Sequence, residues 1–127
     1  MKKKIFGKIA LSGLTLGILF AGNALAASSS ATITSSETGK NGSVVSNPNG
    51  KGTLFGDNDR YSTNSLWVEI YASVYGPDVR DIGYKLQPGY QANPYYTGLI
   101  QGNEYLHLDP DGPYYTGVNG AGSFTPY

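Results

Sequence analysis

His107 is the single histidine of the chain, and Asp109 follows it by two residues. On a strand, i, i+2 spacing puts both side chains on one face, where a carboxylate can orient an imidazole for proton transfer. A nucleophile is missing from the pattern: there is no Gly-x-Ser-x-Gly elbow, and one strand pair does not make a site. The favoured reading is a half-exposed strand histidine beside a turn aspartate. Glu69 and Glu104 form a second pair, each in a strand-like stretch, with Glu69 between Trp67 and Tyr71. A glycosidase uses two carboxylates across a cleft, but about 100 residues leave little room for such a pocket. No enzyme is expected.

Two further stretches, Gly56-Asp57-Asn58-Asp59 and Asp109-Pro110-Asp111-Gly112, space carboxylates as calcium loops do. Neither continues to the further oxygens and the closing Glu of an EF-hand, and Asx turns explain both. Weak calcium binding at Asp57/Asp59 or Asp109/Asp111 stays open, while no metal site and no cofactor is expected. The constellation with most binding potential is aromatic. Trp67, Tyr71 and Tyr75 recur on one side of a strand-like run, with Glu69 and Ser73 between them. Such a row is either the covered face of a central strand or an exposed binding face, since Trp and Tyr combine an apolar body with a polar tip.

That row sits in the clearest strand signal of the chain. Across Leu66–Tyr75, Leu66, Val68, Ile70, Ala72 and Val74 alternate with the aromatic and polar set, so the aliphatic side is the core side. Gly76-Pro77-Asp78 ends the run. Ile82, Tyr84 and Leu86 mark a second strand, and Glu104–Leu108 a third. A weaker pattern, Ser43–Ser46, a turn at Asn47–Gly50, then Thr53–Phe55, reads as a first hairpin. The string Pro-Tyr-Tyr-Thr-Gly occurs twice, at 94–98 and 113–117. It is read as two matched strand starts, with chance and a binding repeat as alternatives; two copies do not support a solenoid. No helical periodicity is present beyond the first residues. The expected fold is all-β, a small antiparallel sandwich or sheet domain.

Met1-Lys2-Lys3-Lys4, an apolar run from Ile9 to Phe20 and Ala24-Leu25-Ala26 have the layout of a secretory signal peptide. The run is shorter than the ~20 residues that span a bilayer, so no stable membrane anchor is expected. The expected organisation is a signal at 1–26, a flexible Ser/Thr/Gly/Asn-rich segment at 27–52 and a β-rich domain at 53–127. Ala27–Lys40 in particular holds too few large apolar side chains to offset its ordering entropy. Past Ala26 there are five basic residues against nine acidic ones, a net charge of −4. This excludes the basic footprint of nucleic-acid binding. No cysteine is present, so an exported chain would stand on packing alone.

The layout, a Lys-led signal, a Ser/Thr-rich start and a cysteine-free β domain rich in Tyr and Gly, resembles that of small exported proteins of Gram-positive bacteria. In general design it is also similar to small secreted bacteriocins of all-β type, a resemblance that implies no site residues. The function expected is a secreted, extracellular, non-enzymatic binding or matrix module that uses the aromatic face on a cell-wall polysaccharide, another protein or a second copy of itself. The alternative is a secreted antibacterial effector.

Overall fold

The computed structural model describes residues 27–112 and 114–127; the signal-peptide expectation for residues 1–26 lies outside the described residues. Within them the chain forms strands β1 (Ser29–Ile33), β2 (Lys40–Asn41), β3 (Val45–Asn47), β4 (Gly52–Asn58) and β5 (Leu66–Ala72). There follow β6 (Val79–Leu86), β7 (Gln91–Ala92), β8 (Tyr95–Tyr96), β9 (Gly102–Pro110) and β10 (Gly120–Pro126). No helix occurs among the described residues.

The strands make two antiparallel sheets. The first runs β1-β10-β4-β7, with β8 beside the other end of β4; the second runs β2-β9-β5-β6, with β3 beside the other end of β9. Counting β2/β3 and β7/β8 as two interrupted strands, the order is that of an eight-stranded jelly roll. The chain is a long antiparallel ribbon, running from the β1–β10 ladder to the β5–β6 hairpin, that rolls up so that β10 meets β4 and β9 meets β5.

The two inner faces differ in size. The β5 side chains Leu66, Val68 and Ile70 and the β9 side chains Leu106 and Leu108 are fully buried, as the strict alternation of β5 demands. Opposite them the first sheet offers Gly56 and Gly122 beside Leu54 and Phe124. A Cβ at Gly56 would lie 2.6 Å from Val68 Cγ2 and 2.8 Å from Tyr84 Oη; one at Gly122 would lie 3.0 Å from Leu108 Cδ2. Large aliphatics therefore pack directly on bare backbone. Gly56→Val is expected to cost at least the ~1–3 kcal/mol typical of overpacking, and a denaturant midpoint unchanged from wild type would contradict this close approach. Tyr84 also crosses the core, its hydroxyl 2.7 Å from the Leu54 carbonyl and 3.2 Å from that of Ala92, and burial pushes its ionisation far above the usual range.

Several expectations are corrected. Ala27–Lys40 is not loosely attached: β1 pairs with β10 from Ser29–Phe124 to Ile33–Gly120. Ser29 and Ile33 are buried, and Ser29 Oγ accepts from the Leu106 N–H of the other sheet at 2.9 Å. Strand-forming chain thus begins well before residue 53, because backbone pairing and a sheet-to-sheet hydrogen bond replace the missing apolar bulk. The 43–55 hairpin is not formed either. β3 pairs with β9 and β4 with β10, so the turn at Asn47–Gly50 carries the chain from one sheet to the other. The repeated string folds in two ways. Tyr95–Tyr96 is strand β8, whereas Tyr114 and Tyr115 lie in the β9–β10 connection, with Tyr114 at φ 62° and Gly112 at φ 105°. Finally, β5 stops at Ala72, leaving Val74 exposed.

Candidate functional site

Residues opposed across antiparallel strands share a face, and the registers of β6, β5 and β9 assemble one polar and aromatic surface outside the second sheet. Trp67 is flanked by Lys85 and Asp109, Glu69 by Gly83 and His107, and Tyr71 by Arg80 and Tyr105. A bulge opposite Ile70/Tyr71 brings Arg80, rather than Asp81, against Tyr71. On the far side Asn41 of β2 stands beside His107.

Trp67 is clasped by charge. Arg80 Cζ lies 4.9 Å and Lys85 Nζ 5.5 Å from its ring centroid, and its Nε1 donates to Asp111 Oδ1 at 3.1 Å. Asp111 Oδ2 in turn pairs with Lys85 at 3.3 Å. Tyr71 stacks near-parallel on Tyr105 at 5.9 Å and meets the His107 ring edge-on at 5.2 Å. The Tyr105 hydroxyl donates to Asp78 at 2.7 Å; burial and this partner push its ionisation up to about 12. Of the expected row, Trp67 and Tyr71 share this face. Tyr75 does not: it lies beyond the end of β5, fully exposed.

At the centre is Glu69, only 6% exposed although it points away from the core. Arg80 Nε holds its Oε2 at 2.7 Å, reaching it over Gly83, where a Cβ would meet Glu69 Cγ at 2.8 Å and Arg80 Nη2 at 2.9 Å. Its Oε1 is buried without a hydrogen-bond partner. His107 and Asp109 do share a face, as their spacing implies, and Glu69 joins them: ligating atoms of all three lie within 4.8 Å of one another. His107 Nδ1 contacts Asn41 Oδ1 at 2.5 Å. Since Oδ1 can only accept, the ring proton is on Nδ1 and Nε2 keeps a free lone pair. Burial raises the Glu69 and Asp109 carboxyls and lowers His107; Arg80 opposes the shift at Glu69, and the His107–Asp109 attraction opposes it at those two groups.

Glu104 belongs elsewhere. It sits three residues from His107 on β9, hence on the opposite, inner face, and is fully buried. Glu69 and Glu104 therefore cannot flank one substrate. The Asp57/Asp59 pair is engaged locally, Asp57 with Gln91 Nε2 at 3.3 Å and Asp59 with the Tyr61 N–H at 3.2 Å, the latter an Asx turn. Asp109 and Asp111 part company, one toward Glu69 and His107, the other toward Trp67. The His107–Asp109 face follows from their two-residue spacing, whereas Glu69's membership depends on the β5–β9 register.

Comparison with protein-family models, with curated proteins and with solved structures finds no match to this chain.

Proposed function

We propose that the protein is a secreted, non-enzymatic extracellular module that binds a polysaccharide of the cell wall on the outer face of the second sheet. The observation that carries this reading is the packing of Tyr71 and Tyr105 beside His107, Glu69 and Asp109 on one continuous strand surface. A sugar chain presents apolar C–H patches and hydroxyls that both donate and accept. Aromatic rings beside carboxylates and an imidazole answer both. Trp67 supports the face from within, since Arg80 and Lys85 already lie over its ring. Tyr75 is not required. The net charge of −4 past Ala26 disfavours strongly anionic polymers, which points to neutral or amino sugars.

The test is retention of purified protein on insoluble peptidoglycan and on neutral cell-wall polysaccharide. Tyr71→Ala with Tyr105→Ala should lower retention at least tenfold while the β-type far-UV spectrum persists. Ile70→Ala, on the inner face, should instead lose about 2–5 kcal/mol of stability. Wild-type retention by the folded double variant, or no retention of the wild type on either polymer, sinks the reading.

A further inference from the structure

We propose that Glu69, His107 and Asp109 form a binding site for a divalent transition-metal ion of the zinc class. The three side chains come from two neighbouring strands, and their ligating atoms lie within 4.8 Å of one another. A tetrahedral zinc ion with bonds of about 2.0–2.2 Å needs ligand atoms roughly 3.3–3.6 Å apart. The site therefore closes with small side-chain rotations at His107 and Asp109, which are half-buried.

Two features beyond proximity point to a cation. The first is the unpartnered oxygen: Glu69 is 6% exposed, its Oε2 is held by Arg80, and its Oε1 has lost water without gaining any donor. A positive ion in front of Oε1 supplies what the fold leaves out. The second is the support of the histidine. Asn41 Oδ1 accepts from Nδ1, which fixes the tautomer with Nε2 as the free ligand atom. Metal-binding histidines are oriented by an outer acceptor in this way. The ligand set, one imidazole and two carboxylates, suits zinc, cobalt or nickel. Calcium and magnesium prefer all-oxygen shells. Three protein ligands leave at least one position for water or a ligand group. Arg80 competes with the ion for Glu69, so the guanidinium sets the affinity. The metal site stands whether or not the face binds a polysaccharide.

Because His107 is the only histidine, untagged protein gives an unambiguous readout. After chelation and dialysis, calorimetric titration with zinc chloride is expected to show one ion per chain with a micromolar or tighter Kd, and calcium and magnesium at least a hundredfold weaker. Cobalt(II) should give visible absorption bands of a low-coordinate site, lost on adding zinc. His107→Ala and Asp109→Asn should each weaken zinc at least tenfold, with folding checked by far-UV circular dichroism. Arg80→Gln should tighten it, and this variant decides the matter if Asp109→Asn fails to fold. Absence of zinc binding at millimolar concentration, binding untouched by His107→Ala, or unchanged affinity in Arg80→Gln overturns the assignment.

Discussion

Phe124→Ala is expected to remove most of the stability of the fold. Phe124 is fully buried on β10, the strand between β1 and β4. Truncating a buried phenylalanine costs about 3–5 kcal/mol, and the upper end applies here. Leu54 and Ser29 oppose it in register, but next to Leu54 on β4 the sheet offers only backbone: a Cβ at Gly52 would lie 2.7 Å from Phe124 Cε1. Glycines have nothing to lean into the cavity, and their backbone is pinned by ladders on both sides of β10. Against a total of about 5–15 kcal/mol for a small domain, such a loss puts much of the population in the unfolded state. Urea titration of both proteins measures it; a difference under about 1 kcal/mol would falsify the picture of Phe124 as the filler of the first sheet.

Glu104 makes the stability of the fold fall as pH rises. Its carboxyl is fully buried on the inner side of β9. Asn47 Nδ2 donates to Oε1 at 2.8 Å, Oε2 has no partner, and the neighbouring Asp81 carboxylate accepts from the Ile100 N–H at 2.8 Å. Burial first, and then the Asp81 carboxylate, raise Glu104 to about 8. The neutral acid can donate to Asp81, whereas the carboxylate would face another acceptor. Between the ordinary value of 4.5 and about 8 the folded chain holds a proton that the unfolded chain has released. Stability is therefore full below that window and declines through it, by on the order of 1 kcal/mol per pH unit. Glu104→Gln, which keeps a donor and carries no charge, should match wild type near pH 5 and exceed it by several degrees in Tm at pH 8. Parallel melting profiles for the two proteins across pH 5–8 would remove Glu104 as the source.

What was legible in the sequence follows where the local pattern carries the fold. β5 was readable because Leu66, Val68, Ile70 and Ala72 alternate without exception and bury completely. β1 was not, because its inner positions Ser29 and Ala31 are small; that strand is defined by its partner β10 and by Leu106 across the core. The first sheet sets glycines (Gly52, Gly56, Gly122) between its inner Leu54 and Phe124, so apolar alternation is broken there and marks most clearly the sheet that packs against it. At the site, the shared face of His107 and Asp109 follows from two-residue spacing. Their meeting with Glu69, and the cover over Trp67, depend on pairing between distant strands and on a bulge that selects Arg80, and neither is encoded in any short window.

The rolled ribbon also fixes an order of events in time. β5 and β6 are joined by the short loop 73–78, so their contact closes at little entropic cost. Pairing of β4 with β7 and β8, and of β9 with β2 and β3, brings together residues progressively further apart. The last ladder, β1 with β10, joins Ser29 to Phe124. Closing that loop from a random coil carries the largest entropic barrier in the molecule, but once the inner ladders exist the two strands are already near neighbours. Folding of this topology is thus a zipper that starts at the hairpin and ends at the β1–β10 ladder, with the slow rates of highly non-local contacts. A chain emerging from a ribosome cannot finish folding until β10 is free. Until then β1, which pairs with β10 alone, has neither edge paired, and the first sheet stays open.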